Sequence, residues 1–272
     1  MPLFTVDGVT LHYRIDGAAS LPLLVLSNGL GLDMSMWDPQ IASLSQRFRV
    51  LRYDTRGHGA SDCRNGHLSI ERLGRDVLEL LATVGEDRMH FCGLSMGGLI
   101  GLWLGIHSPH KLTRLVLAHT AARIGPVSMW NARIENVLST GMTAVSAAAM
   151  TRWFTPTYIA AQPRVVAALR ATMEHCSASG YAQCCAAVRD ADFLDEVGRI
   201  ACPTLVIGGK HDSATTLDDA YFLADRIAGA ELVEIDAAHL SNIERPGEFS
   251  GALLTFCNGS RTTPPAPALI QA

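Results

Sequence analysis

Short apolar runs and helix-spaced apolar positions take turns along most of this chain. Phe4–Val6 and Thr10–Tyr13 alternate apolar and polar around Asp7-Gly8, the pattern of a β-hairpin closed by a tight turn. Leu21–Leu26 and Arg49–Tyr53 read as buried strands, the second leading into the glycine-punctuated turn Asp54-Thr55-Arg56-Gly57-His58-Gly59. Leu73, Val77, Leu80 and Leu81 recur at helical spacing within Ile70–Leu81. A strand over Met89–Leu94, a helix over Gly98–His107 and a strand over Leu112–Ala118 continue the series.

From about residue 121 to residue 199 the alternation stops. That stretch is helical in pattern, rich in Ala, Met and Arg, and has no strand signal. Thr204–Gly208 then reads as a strand, Leu217–Ile227 as a helix, Glu231–Ile235 as a strand and Pro246–Phe256 as a helix. The expected architecture is α/β: a mostly parallel sheet flanked by helices, with a helical cap inserted once. Residues 1–120 and 200–258 form the expected core, 121–199 the cap, and 259–272, with its Thr-Thr-Pro-Pro-Ala-Pro run, a disordered tail.

Composition narrows the function. The 272 residues are 48% hydrophobic and 18% charged, which suits one large folded unit. Lys and Arg total 22 against 26 Asp and Glu, a net charge of -4, so no basic footprint for nucleic acid is present. No apolar run is long enough for a membrane span, and the first residues lack the pattern of a signal peptide. Seven cysteines, an odd number without a Cys-x-x-Cys pair, point to reduced thiols in the cytoplasm. No His, Cys, Asp and Glu cluster has metal-ligand spacing, so neither a metal nor another cofactor is expected. Oligomeric state is not legible.

The chemistry is concentrated in three segments. Gly93-Leu94-Ser95-Met96-Gly97 follows a strand signal and opens a helix signal. Such a Gly-x-Ser-x-Gly elbow exposes a serine on a sharp turn, so Ser95 is the expected nucleophile. Asp212 stands just past the strand Thr204–Gly208, and His239 on the loop after the last strand. The chain order Ser, acid, His is the one this elbow uses, with His239 as base and Asp212 orienting it. Asp236 is the competing acid, set aside because it lies on the same turn as the histidine. The glycine-bearing loop Ser27-Asn28-Gly29-Leu30-Gly31 follows a buried strand. Backbone N–H groups of Leu30 and Met96 are therefore the expected oxyanion hole. His58, His67, His107, His110, His175 and His211 are expected to be structural, solvated or inert, and Arg56 and Asp62 to be scaffold.

Residues from about Phe4 to Phe256 resemble the 3-oxoadipate enol-lactone hydrolases, within the α/β-hydrolase superfamily. The resemblance is carried by Met36-Trp37-Asp38-Pro39-Gln40, by Leu51–Asp62 and by His90-Phe91-Cys92-Gly93-Leu94-Ser95. In the cap it is carried by Thr120–Gly125, Trp130–Ile134, Arg152–Pro156 and Tyr181–Ala187, and near the end by Asp236–Asn242. It implies a cytoplasmic serine hydrolase that opens a small anionic lactone in aromatic-compound catabolism. A broader carboxylesterase, lactonase or perhydrolase is the enzymatic alternative; a noncatalytic ligand receptor on the same fold is the other. Three positions depart from the family's usual pattern: Ser213 and Thr216 stand for prolines, and His119 stands for asparagine at a place where it can reach the pocket.

An anion entering an apolar pocket needs a cation. The cap offers Arg123, Arg133, Arg152, Arg164, Arg170 and Arg189. Arg133, in the family-like Trp-Asn-Ala-Arg stretch, is the first choice for the substrate carboxylate, and Arg152, beside Trp153, the second.

Overall fold

The computed structural model describes residues 3–64 and 66–259. The tail expected over 259–272 therefore lies outside the described residues, except for Gly259. Among the described residues, eight strands form one sheet in the order β1-β2-β4-β3-β5-β6-β7-β8. β1 (Leu3–Val6) and β2 (Val9–Asp16) make the expected hairpin, and Asp7 and Gly8 at its tip take φ of 51° and 65°, as a two-residue turn with left-handed residues requires. β2 runs antiparallel to β4 (Arg49–Tyr53). From β4 onward the sheet is parallel: β3 (Leu23–Ser27), β5 (Met89–Leu94), β6 (Leu112–Ala118), β7 (Thr204–Gly209) and β8 (Glu231–Ile235).

β3, β5 and β7 are buried along their whole length, which is why they appear in the sequence as unbroken apolar runs rather than alternating ones. β3 begins two residues later than its apolar run. Pro22 has no N–H to give a ladder, and its carbonyl instead accepts from Arg49 N–H at 2.9 Å.

Flanking helices are α1 (Asp38–Leu44), α2 (Ile70–Thr83), α3 (Met96–His107), α9 (Leu217–Arg226), α10 (Ser241–Glu244) and α11 (Pro246–Asn258). α2 is capped by the Ser69 hydroxyl, which accepts from Arg72 N–H, and its buried stripe is Leu73, Val77, Leu80 and Leu81. It packs on α3, which lies on β5 and β6; α9 covers β7 and β8. The short helices α1 and α10 carry too few turns to show a period, and the apolar pattern does not reveal them.

Between β6 and β7 the chain forms α4 (Val127–Thr140), α5 (Met142–Trp153), α6 (Pro156–Ala161), α7 (Pro163–Glu174) and α8 (Ala178–Asp190). α4 packs against α8 and α5 against α7. Phe193 N–H donates to Ala122 O at 2.9 Å, which ties the outgoing and returning segments together at one neck. Trp130, Val137, Trp153 and Tyr181 of the insertion belong to the same continuous buried cluster as the sheet. Beneath it, Arg56 meets Asp76 through Nε at 2.6 Å and Nη2 at 2.7 Å, both residues buried, and fixes the turn after β4 to α2. No described helix is long and apolar enough to cross a membrane.

Candidate active site

Ser95 sits between β5 and α3 with φ 58° and ψ -112°, a backbone conformation that L residues rarely adopt. Its N–H donates to Ala118 O at 2.9 Å, and its carbonyl accepts from the Thr120 hydroxyl at 2.9 Å. Glycine is compulsory on both sides. A Cβ on Gly93 would lie 1.9 Å from Gly97 O, and one on Gly97 would lie 2.3 Å from Ser27 O. The elbow therefore exists because the strand, the helix and the end of β3 approach closer than any side chain permits.

β7 and β8 end side by side, and their following loops bring Asp212 and His239 together. His239 Nδ1 lies 2.8 Å from Asp212 Oδ2. Asp212 Oδ1 accepts from the N–H groups of Ala214 (2.8 Å) and Thr215 (3.1 Å), and Oδ2 from the Thr215 hydroxyl (3.1 Å). Burial opposes the charge on Asp212, but His239 and the hydrogen bonds from His119 and His239 outweigh it and hold the carboxyl far below the usual carboxylate range. Asp236 faces solvent and bonds His211 Nε2 at 2.9 Å. That histidine is exposed rather than packed in its loop. The His239 loop is fastened from the other side by buried Glu244, which accepts from Ala238 N–H (3.1 Å) and from the Thr155 hydroxyl.

His119 does not reach the pocket, contrary to its expected place. It is buried behind Asp212, with Nδ1 3.0 Å from Asp212 Oδ2 and Nε2 2.6 Å from Ser241 Oγ. Donor atoms of His119, Asp212 and His239 lie within 4.8 Å of one another, close enough to consider a metal ion. The carboxylate oxygen there already accepts from both imidazoles, so the group as it stands is a hydrogen-bonded cluster.

The loop after β3 carries a backbone donor into the same site. Gly29 N–H points at Met36 Sδ (3.4 Å) and Gly31 N–H donates to His58 Nε2 (2.8 Å). Between them, no acceptor among the described residues takes up Leu30 N–H, and none takes up Met96 N–H at the start of α3. His58 is buried, its Nδ1 is 3.1 Å from Arg56 O, and burial pulls its proton affinity below the ordinary histidine value. Since Nε2 accepts from Gly31, Nδ1 carries the proton, and the neutral ring pins the loop.

Ser95, His239, Leu30 and Met96 line one cavity of about 350 Å³. Its walls also include Trp130, Arg133, Arg152, Trp153, Tyr181 and Ser213. The Arg133 guanidinium lies 4.6 Å over the Trp130 ring. Arg152 is half-buried, and desolvation and the nearby Arg133 lower its proton affinity. Among the described residues, neither arginine has a carboxylate partner.

Residues 24–252 match the model of the alpha/beta hydrolase family. The chain is 42% identical over 259 residues to 3-oxoadipate enol-lactonase 2 of Acinetobacter baylyi, covering 93% of this chain and 97% of that protein. It is 40% identical to 3-oxoadipate enol-lactonase 1 of the same organism, covering 89% and 91%. The chain belongs to the α/β-hydrolase family, in its 3-oxoadipate enol-lactonase group. The crystal structure of an enol-lactonase from Burkholderia xenovorans LB400 superposes with a TM-score of 0.94 at 46% identity, covering 95% of this chain and all of that one.

Within this α/β-hydrolase frame the expected residues separate cleanly. Ser95, Asp212, His239, Leu30, Met96, Arg133, Arg152 and Trp153 converge on the cavity or its immediate support. Arg123 pairs with Asp192, Arg170 with Glu174 and Arg189 with Asp190, while Arg164 is exposed. Thr216 starts α9 with a capping box to Asp219, so this departure from proline has its own local reason. Ser241 and Glu244 are supporting residues that sequence patterns did not reveal; His58 is structural, as expected, and His119 supports Asp212 instead of reaching the pocket.

Proposed function

We propose that this protein hydrolyses the enol-lactone of 3-oxoadipate, with Ser95 as nucleophile, His239 as general base and Asp212 as the orienting acid. The observation that carries the reading is one largely apolar-walled cavity holding both Ser95 and two guanidiniums that have no carboxylate partner among the described residues. A half-buried cation is costly when unpaired, and an anionic substrate offsets that cost. The named relatives act, by their names, on this lactone.

Ser95 Oγ attacks the lactone carbonyl as His239 Nε2 takes its proton. The oxyanion is received by Leu30 and Met96 N–H, the latter reinforced by the N-terminal end of α3. The ring C–O bond breaks as the His239 imidazolium returns its proton to the departing enolate oxygen, and the enol so formed becomes the ketone. Water, deprotonated by His239, then releases the acid and restores Ser95. Arg133 and Arg152 hold the substrate carboxylate, with Trp153 closing the wall behind it. The seven free thiols suit a reducing compartment such as the cytoplasm.

The test is the ratio of kcat/KM for the enol-lactone to that for a neutral lactone of similar size. A preference of about 100-fold or more, equivalent to ~3 kcal/mol, is expected from a charge-assisted carboxylate contact. Equal values would favour a broader esterase or lactonase, and no turnover of either would favour a receptor.

A further inference from the structure

We propose that His119 is a positioning residue for this reaction: it struts Asp212 against His239 and moderates the negative charge that the carboxylate presents to the catalytic imidazole. The proposal rests on the triad reading above.

The placement is unusual for a residue at the end of a central strand. His119 follows β6 with φ 47°, and its N–H donates to Ile207 O at 2.8 Å, which fixes the backbone against β7. The ring is fully enclosed, and both nitrogens are engaged. Ionised Asp212 has no proton to give, so His119 Nδ1 must carry one toward Oδ2. Nε2 is then a lone pair, and it accepts the Ser241 hydroxyl at 2.6 Å. His239 obeys the same rule at 2.8 Å. One carboxylate oxygen thus receives two imidazole N–H groups and the Thr215 hydroxyl. Charged or titratable groups facing the His119 ring are Asp212, His239 and Glu244; burial outweighs the carboxylates and keeps the ring neutral.

Each donor on Oδ2 takes a share of its charge. With His119 removed, the carboxylate would attract a proton on the His239 ring more strongly. The imidazolium would then persist to higher pH, where it cannot accept the Ser95 proton. Asp212 would also lose one of the contacts that fix its rotation. The Ser241 hydroxyl contributes through His119, because accepting a proton at Nε2 makes Nδ1–H the better donor. A residue that merely fills space would show none of this dependence on nitrogen.

The experiment compares wild type, His119→Leu, His119→Asn and Ser241→Ala on the enol-lactone across pH. The asparagine amide nitrogen stands as many bonds from Cα as Nδ1, so it restores the donor to Asp212 without the link to Ser241. For His119→Leu, kcat should fall roughly 10- to 100-fold with KM within about threefold. The acid limb of kcat/KM should move up by about half a pH unit or more. His119→Asn should recover most of both. Ser241→Ala, a smaller change in case the leucine variant does not fold, should move the acid limb in the same direction by less. An unmoved acid limb in the variants that fold, or asparagine no better than leucine, would overturn the proposal. Wild-type turnover of the lactone reports on the function itself, so the two ideas fail separately.

Discussion

Replacing Arg133 with methionine removes one of the two guanidiniums that line the cavity while leaving an unbranched stem against Trp130. A charge-assisted hydrogen bond to a carboxylate contributes about 1.5–3 kcal/mol, or roughly 10- to 150-fold in affinity. Arg152 remains in the cavity and keeps half of the positive charge, which pushes the outcome toward the lower part of that range. KM for the enol-lactone should therefore rise about 10- to 30-fold with kcat within about threefold, because the carboxylate is bound alike in ground and transition states. Arg152→Met should behave similarly, and the double variant should lose more than the sum of the two single losses. The control substrate is p-nitrophenyl acetate, which has no carboxylate and should be hydrolysed as by wild type. Equal losses on both substrates would make Arg133 a support of the helical insertion and not a carboxylate ligand. Unchanged kinetics on both would return it to the solvent.

Asp212→Asn should lower kcat by about 10⁴, the loss expected when a triad carboxylate becomes an amide, while Asp236→Asn should change it less than about threefold; the reverse order in a steady-state assay would move the acid role to Asp236. Prolonged treatment with EDTA should leave activity intact, and a loss restored by a divalent ion would place a metal in the His119, Asp212, His239 cluster. His90 is buried with its pKa lowered from 6.5 to about 4 by desolvation and then by Arg114 and Arg88. The unfolded chain takes up that proton first, so stability is full above pH 6.5 and falls as the pH drops toward 4. By pH 5 the loss from this group is about 2 kcal/mol, seen as a lower urea midpoint that His90→Gln flattens; an unchanged midpoint in wild type between pH 7 and pH 5 would contradict it.

The parts of this site that sequence patterns reveal are those whose cause is local. Gly93 and Gly97 announce Ser95 because the backbone clash they avoid lies within a few residues of the elbow itself and the adjoining end of β3. Asp212 and His239 are readable because each follows a strand end, and a parallel sheet gathers its strand ends on one edge. His119, Asp212 and Ser241 come from three separate connections, and no spacing along the chain links them. His58 reaches Gly31 from the turn after β4 in the same way. The arginines show the limit most clearly. Arg123, Arg133, Arg152, Arg170 and Arg189 are alike as residues, and only the folded chain decides which meet Asp192, Glu174 and Asp190 and which are left facing the cavity.

Passage of lactone opening through Ser95 is read out by kcat/KM for the enol-lactone with wild type and Ser95→Ala side by side. Wild type should turn the lactone over readily and the variant should fall by roughly 10³-fold or more, since the oxyanion donors and arginines remain but no acyl-enzyme can form. A variant retaining more than about a hundredth of wild-type kcat/KM would mean that Ser95 is not the nucleophile.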